Sequence, residues 1–266
     1  VCSKQYSKYI TKDTKVATIL HTSPVTGMGM DIKEIAKEIR VVSPDCFIIV
    51  DGIQHAAHGQ IDIDNYNIDA YVISPYKMFS RHGYGVAWAS ERLCALNKEQ
   101  LADGPAQNWE LGTRDAGSYA TFSDVVDYLD WLGSNFTDSE NIRERLEVSS
   151  LVIKSHEQEL VNLVLKGTKD LAGLTNKNNM QVIGNLTSAS REGVVSFYHK
   201  NKPSSLIVEQ LRERKIRVHI RKDDHYCGNI LKPLKQKDCI RFSICHYNSK
   251  AEVVKFLEAI NEIITD

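Results

Sequence analysis

Two apolar runs in this chain each end in residues that could do chemistry. Phe47-Ile48-Ile49-Val50 stops at Asp51, with Gln54 close behind, and Ala70-Tyr71-Val72-Ile73 stops at Ser74, with Lys77 close behind. Short runs of β-branched and aromatic residues predict strands buried on both faces, and open parallel sheets collect ligands beyond the carboxyl ends of their strands. A carboxylate at one strand end and an amine at the next are thus expected to face one pocket. A lysine in such a place is costly to desolvate unless it is paired or covalently used. Burial also lowers the pKa of an amine, which suits one that must attack a carbonyl.

Pyridoxal phosphate is a cofactor whose needs this set meets. It withdraws electrons only while its ring nitrogen stays protonated, and a buried carboxylate keeps it so. Lys77 would bind its aldehyde, Asp51 would face the ring nitrogen, and Ser or Thr hydroxyls would take the phosphate. The plainer alternative is a lysine that extends its amine to water and an aspartate that caps a turn. These residues alone leave both open.

The elements that position them are legible around this stretch. Residues 15–20 predict a strand that ends at His21-Thr22-Ser23-Pro24, where Pro24 and Gly27 mark a loop. Residues 31–40 predict an amphipathic helix with Ile32, Ile35, Ala36 and Ile39 on one face. Strand, loop, helix and strand make a βαβ unit, hence a parallel sheet. Gly85-Val86-Ala87-Trp88-Ala89 adds a further strand after a glycine-rich turn, and residues 90–93 turn out of the sheet. The polar segment 103–118 is too long for an ordinary connection, and long ordered loops are usually functional. A helix is predicted over 122–132, with Gly133 as its C′ residue. Thr137 and Glu140 form a capping box that opens a long helix reaching about Leu165.

Beyond that helix, strands are predicted at 193–199, 216–220 and 239–246, with helices at 204–215 and from Ser249 onward. The domains expected are thus residues 1–136, a bridging helix at 137–165, and a small α+β domain at 166–266. Within the strand at 239–246, Ile240, Phe242 and Ile244 share one face and Arg241 lies on the other, where its guanidinium fork matches a carboxylate bidentately.

Composition excludes several classes. The 266 residues are 42% hydrophobic and 25% charged, a globular profile, and the net charge of −1 with interspersed signs offers no stripe for nucleic acid. No apolar run approaches the roughly 20 residues of a membrane span. Six cysteines without a CxxC pair or metal-ligand spacing predict reduced thiols, no metal and a cytoplasmic setting. The sequons at Asn135 and Asn185 are read as chance matches.

Val50-Asp51-Gly52-Ile53-Gln54 followed by Ser74-Pro75-Tyr76-Lys77 resembles the class V aminotransferase family of fold-type I pyridoxal-phosphate enzymes, in particular its cysteine desulfurase and isopenicillin N epimerase-like members. The likeness continues through His21-Thr22-Ser23-Pro24-Val25-Thr26-Gly27, Glu110-Leu111-Gly112-Thr113-Arg114-Asp115 and Ile240-Arg241-Phe242-Ser243-Ile244-Cys245-His246-Tyr247-Asn248.

The resemblance implies roles residue by residue. Lys77 would hold the cofactor covalently and shuttle the substrate's α-proton. Asp51 would pair with the pyridine nitrogen, Gln54 would bond the phenolic oxygen, and Ser74 would contact the phosphate. Tyr76 stands where many relatives carry a phosphate-binding histidine. The Gly112-Thr113 loop would reach the phosphate of a neighbouring subunit, which implies a homodimer, and Arg114 would contact substrate or that subunit. Arg241 would clamp the substrate α-carboxylate. Cys227 falls where desulfurases carry the cysteine that attacks the substrate sulfur, although a lone loop cysteine also fits a packing role. Pro24 replaces a cofactor-contacting asparagine, a departure toward the epimerase-like branch. His55 and His58 are expected to pack or to lie at the surface, and Arg81 and His82 are candidates to line a substrate channel.

The family's large domain begins earlier than Val1, and its glycine- and threonine-rich phosphate cup and ring-stacking aromatic are not found between Val1 and Val16. The fold expected is therefore α/β, a partial large domain with a mainly parallel sheet plus a small α+β carboxy-terminal domain, completed by a companion amino-terminal polypeptide or by a longer chain. The function implied is action on an amino acid, with carbon–sulfur bond cleavage of the desulfurase or lyase type. The alternatives are an aminotransferase, an epimerase, or a non-catalytic fragment that lacks half of the cofactor pocket.

Overall fold

Strands β1 (Val16–Leu20), β2 (Phe47–Asp51), β3 (Ala70–Ile73) and β4 (Val86–Ala89) form one sheet in that order. β1, β2 and β3 run parallel, and β4 closes the series antiparallel to β3. Helix α1 (Ile32–Val42) makes the crossover, begun by Asp31, whose carboxylate accepts the N–H of Glu34. The predicted face of this helix, Ile32, Ile35, Ala36 and Ile39, is buried against Ile19, Ile48, Val50, Tyr71 and Ile73 of the sheet. This is a computed structural model that describes residues 3–105, 108–109, 111–113, 115–186 and 191–264.

The amino ends of β2 and β3 are tied by a buried ion cluster that the sequence pattern does not announce. Asp69 accepts from Arg40 at 2.7 Å, from Arg92 at 2.7 and 2.9 Å, and from the N–H of Ile48 at 2.8 Å. Burial alone would raise its pKa, but the donors of Arg92, Ile48 and Arg40 outweigh that and hold the carboxyl below the usual aspartate range. Arg92 lies on α2 (Glu91–Cys94), where residues 90–93 leave the sheet as expected.

Two helix boundaries differ from expectation. Helix α3 (Ala116–Ser134) starts earlier than predicted because Asp115 caps it, its side chain accepting the N–H of Ser118. It also continues through Gly133, which is therefore not a C′ residue. A Cβ at Gly133 would overlap the carbonyl of Arg145, so glycine is needed there for the close approach of the next helix. That helix, α4 (Ile142–Lys166), begins after the Thr137 box. Asn141 supplies the cap instead, its side-chain oxygen accepting from Arg143 at 2.8 Å and from Glu144 at 3.3 Å.

The chain divides into two compact units, Val1–Thr22 with Met30–Leu151, and Ser23–Gly29 with Val152–Asp266. The second unit contains β5 (Met180–Val182), β6 (Val194–His199), α5 (Ser204–Glu213), β7 (His219–Lys222), α6 (Gly228–Leu231), β8 (Asp238–Ser243) and α7 (Lys250–Ile263). Its sheet has the order β5-β6-β8-β7, antiparallel throughout. The strand predicted at 216–220 starts later, because Lys215 takes φ +62° and Ile216 N–H bonds back to Leu211 O, so these residues end α5. One sheet face and helices α4, α5 and α7 enclose a core around Phe197, Phe256, Leu160, Leu211 and Ile240. Ser249 and Glu252 form the expected capping box.

The Ser23–Gly29 loop belongs to this second unit through polar bonds. Ser196 Oγ donates to Val25 O, and buried Arg191 donates to Thr26 O at 2.6 Å and to the carbonyls of Val194, Ile183 and Asn185. Gly27 has φ +69°, and a Cβ there would overlap Val194 O. Among the described residues, no helix is long and apolar enough to cross a membrane.

Candidate active site

In the first unit, the predicted cofactor residues lie at the carboxyl ends of β2 and β3, parallel neighbours in which Asp51 is in register with Val72. Asp51 ends β2, and its Oδ1 accepts the N–H of Ile53 at 2.9 Å, which fixes the carboxylate. Gln54 follows in the turn, its amide nitrogen 3.1 Å from His58 Nε2. Ser74 directly follows β3 and precedes a single 3₁₀ turn, Pro75–Met78, without using its side chain as a cap. Lys77 is half-buried on that turn, its N–H donating to Ser74 O. The short turn at His55–Ala57 packs against it, so the segments that carry Asp51 with Gln54 and Ser74 with Lys77 are adjacent. The lysine turn stops at Phe79, which takes φ +75°, a conformation an aromatic residue rarely adopts and one that gathers at functional sites.

Tyr76 is 40% exposed, its ring stacked on His82 at 4.2 Å. Arg81 pairs at 3.3 Å with Asp115. Thr113 is exposed between α2 and α3, and Arg114 lies outside the described residues.

Side-chain alternation divides the sheet into two faces. Ile19, Ile48, Val50, Tyr71 and Ile73 point into the core with α1. Val16, Thr18, Leu20, Phe47, Ile49, Asp51, Val72 and Ala87 share the opposite face by register. Val16 is 54% and Leu20 42% exposed on it. Mainly parallel sheets bury both faces, so this apolar surface is open where a covering layer is expected, and Asp51 stands at its carboxyl end.

A buried aromatic cluster that the sequence pattern does not announce lies on the core side. His21, just past β1, stacks on His55 at 3.5 Å between ring centroids, places Nδ1 2.7 Å from Tyr71 Oη, and meets Tyr66 edge-on. Burial, and then the neighbouring His55, push the His21 pKa down to about 2, so its imidazole is neutral. His55 and His58 are both buried, so they pack rather than lie at the surface. No local pattern could have revealed this stacking, because it joins residues from three segments.

In the second unit, Arg241 lies on β8 with Ile240 and Phe242 turned to the other face, as predicted. One guanidinium nitrogen donates to Pro24 O at 3.3 Å. Burial, and then Arg221, lower its pKa. Cys227 precedes α6 and is only 2% exposed, packed with Val25, Ile183, Leu231 and Cys239. Burial raises its thiol pKa, and burial pushes that of Cys239 up to about 12. Both are therefore protonated thiols at neutral pH, without the thiolate that a nucleophile needs.

A parallel α/β sheet that presents a carboxylate and, one strand on, an amine, accompanied by a small antiparallel unit carrying an arginine, defines the fold-type I class of pyridoxal-phosphate enzymes. The chain belongs to the class-V aminotransferase family, whose model matches residues 2–256. It is 35% identical over 272 residues to a probable cysteine desulfurase of Mycoplasma genitalium, covering 96% of this chain and 59% of that relative. The apo cysteine desulfurase of Thermococcus onnurineus NA1 superposes with a TM-score of 0.78 at 21% identity, over 99% of this chain and 63% of that one. A C-DES mutant with glycine covalently linked to its pyridoxal-phosphate cofactor superposes with a TM-score of 0.68 at 19% identity, over 97% of this chain and 63% of that one. These structures share the fold expected above. The chain thus spans about three fifths of the length of these proteins.

Proposed function

We propose that this protein acts on an amino acid with pyridoxal phosphate and cleaves a carbon–sulfur bond. The observation that carries the reading is the placement of Asp51 and Lys77 at the carboxyl ends of adjacent parallel strands, in a chain of this family. The donor set fits the cofactor: a carboxylate for the ring nitrogen, a carboxamide for the phenolic oxygen, an amine for the aldehyde, and Ser74 with Tyr76 for the phosphate. When bound, the cofactor supplies an electron sink for charge that develops at the substrate α-carbon. Asp51 holds the proton on the ring nitrogen, its orientation set by Ile53 N–H. Lys77 moves the α-proton through Nζ. Arg241 orients the substrate through its α-carboxylate, and Arg114 is assigned a supporting contact.

The burial of Cys227 favours lyase chemistry over transfer of sulfur to a protein thiol. A lyase releases pyruvate and leaves Cys227 a packing role, whereas a desulfurase needs that thiol at the substrate sulfur and releases alanine. The open face of β1–β4 supports the reading that further polypeptide, from a longer chain or a companion, covers the sheet and builds the other wall of the pocket. Exposed Thr113 suits contact with a second subunit of a homodimer, in the cytoplasm. Incubation of the intact protein with cysteine and S-substituted cysteines tests the reaction. Pyruvate formation that survives Cys227→Ala and is lost in Lys77→Ala is expected. Alanine formation lost in Cys227→Ala would replace the lyase by a desulfurase, and turnover retained in Lys77→Ala would refute the assignment altogether.

A further inference from the structure

Two guanidinium groups of the second unit, those of Arg221 and Arg241, lie on one sheet face, and among the described residues neither enters an ion pair. The register of β7 and β8 pairs His219 with Arg241 and Arg221 with Cys239, so all four side chains lie on one face, opposite Ile220 and Ile240. Arg221 and Arg241 are diagonal neighbours across the ladder, a separation that long side chains span. In each, Nε is buried and has no hydrogen-bond partner among the described residues. The described ion pairs of this unit are Arg212–Glu209, Arg214–Glu262 and Lys250–Glu159, and none uses either arginine. Among the described residues, Arg241 donates to the Pro24 carbonyl.

The field of this pair is felt by its neighbours. His219 is held below the usual histidine pKa by burial and then by Arg241, Arg217 and Arg221. Two partly desolvated cations with unused N–H groups are unfavourable alone and become favourable when an oxyanion accepts from each. One α-carboxylate fills the fork of one guanidinium and leaves the other uncompensated. A ligand with a second oxyanion satisfies both.

We propose that Arg221 and Arg241 form a double anion subsite, Arg241 taking the α-carboxylate and Arg221 an acidic group on the side chain, so that the preferred substrates are dianionic amino acids. For carbon–sulfur cleavage, these are cysteine derivatives whose sulfur substituent bears a carboxylate or an equivalent oxyanion. The assignment rests on the amino-acid reading above but not on the cofactor.

Calorimetric titration of the intact protein with S-carboxymethyl-L-cysteine and with S-methyl-L-cysteine tests it, since the two ligands differ by one carboxylate. At least about tenfold tighter binding of the carboxymethyl compound is expected, as one charge-assisted fork contributes at least that factor. Arg221→Met should abolish the difference by weakening only the carboxymethyl compound, Arg221→Lys should keep part of it, and Arg241→Met should weaken both. Circular dichroism of each variant identifies any that fails to fold, and the wild-type comparison stands without them. Equal affinities, binding of neither ligand, or an Arg221→Met effect of the same size on both would overturn the proposal. Such a result leaves Lys77 and Asp51 untouched, and loss of cofactor binding would leave the double subsite standing.

Discussion

Histidine 21 should make the protein acid-labile by a calculable amount. Its imidazole is 7% exposed, stacked on His55 and bonded to Tyr71, and its pKa falls from 6.5 to about 2. A base with a lowered native pKa binds fewer protons folded than unfolded, so stability is full above pH 6.5 and falls as pH drops toward 2. At about pH 5 the unfolded imidazole is almost wholly protonated and the native one is not, which costs about 2 kcal/mol at 1.36 kcal/mol per pH unit. Urea unfolding at about pH 7.5 and about pH 5 should therefore show wild type losing about 2 kcal/mol more than His21→Asn, which cannot titrate and retains a polar atom near Tyr71. Equal losses in the two proteins, or an NMR titration that places the native His21 pKa near 6, would refute the argument.

Other perturbations probe the supports of the site. Asp69→Ala leaves Arg40 and Arg92 unpaired beside the strand starts and should destabilise the first unit by about 3 kcal/mol, measured by denaturant midpoint. Because the Asp69 pKa is lowered, its contribution is present above about pH 4 and lost as pH falls further, so wild type and Asp69→Ala should converge in strong acid. Gly27→Ala meets both a left-handed backbone and the Val194 carbonyl, and should cost at least about 2 kcal/mol, whereas alanine at Gly112, where φ is not positive and the space is open, should leave the midpoint within about 0.5 kcal/mol.

Strand ends were legible because each depends on a few consecutive residues: an apolar run, then Asp51 or Lys77. The same holds for the Ser249 capping box and for the buried face of α1. What failed depends on partners distant in sequence. Gly133 looks like a helix stop until the Arg145 carbonyl is seen against it, and the Thr137 box loses to Asn141 because both local patterns can cap a helix. Cys227 stands in a polar loop and looks accessible, yet α6, β8 and Val25 enclose it. The His21 cluster, the Asp69 ion cluster and the Arg191 carbonyl clamp leave no periodic trace, since each joins side chains from separate segments.

Borohydride reduction of the protein as isolated from its source, followed by digestion and mass mapping, reads out directly which lysine holds the cofactor. A phosphopyridoxyl adduct on Lys77, absent in Lys77→Ala and weakened in Asp51→Ala, is expected. An adduct on a different lysine, or none when cofactor is supplied to the intact protein, would contradict that assignment.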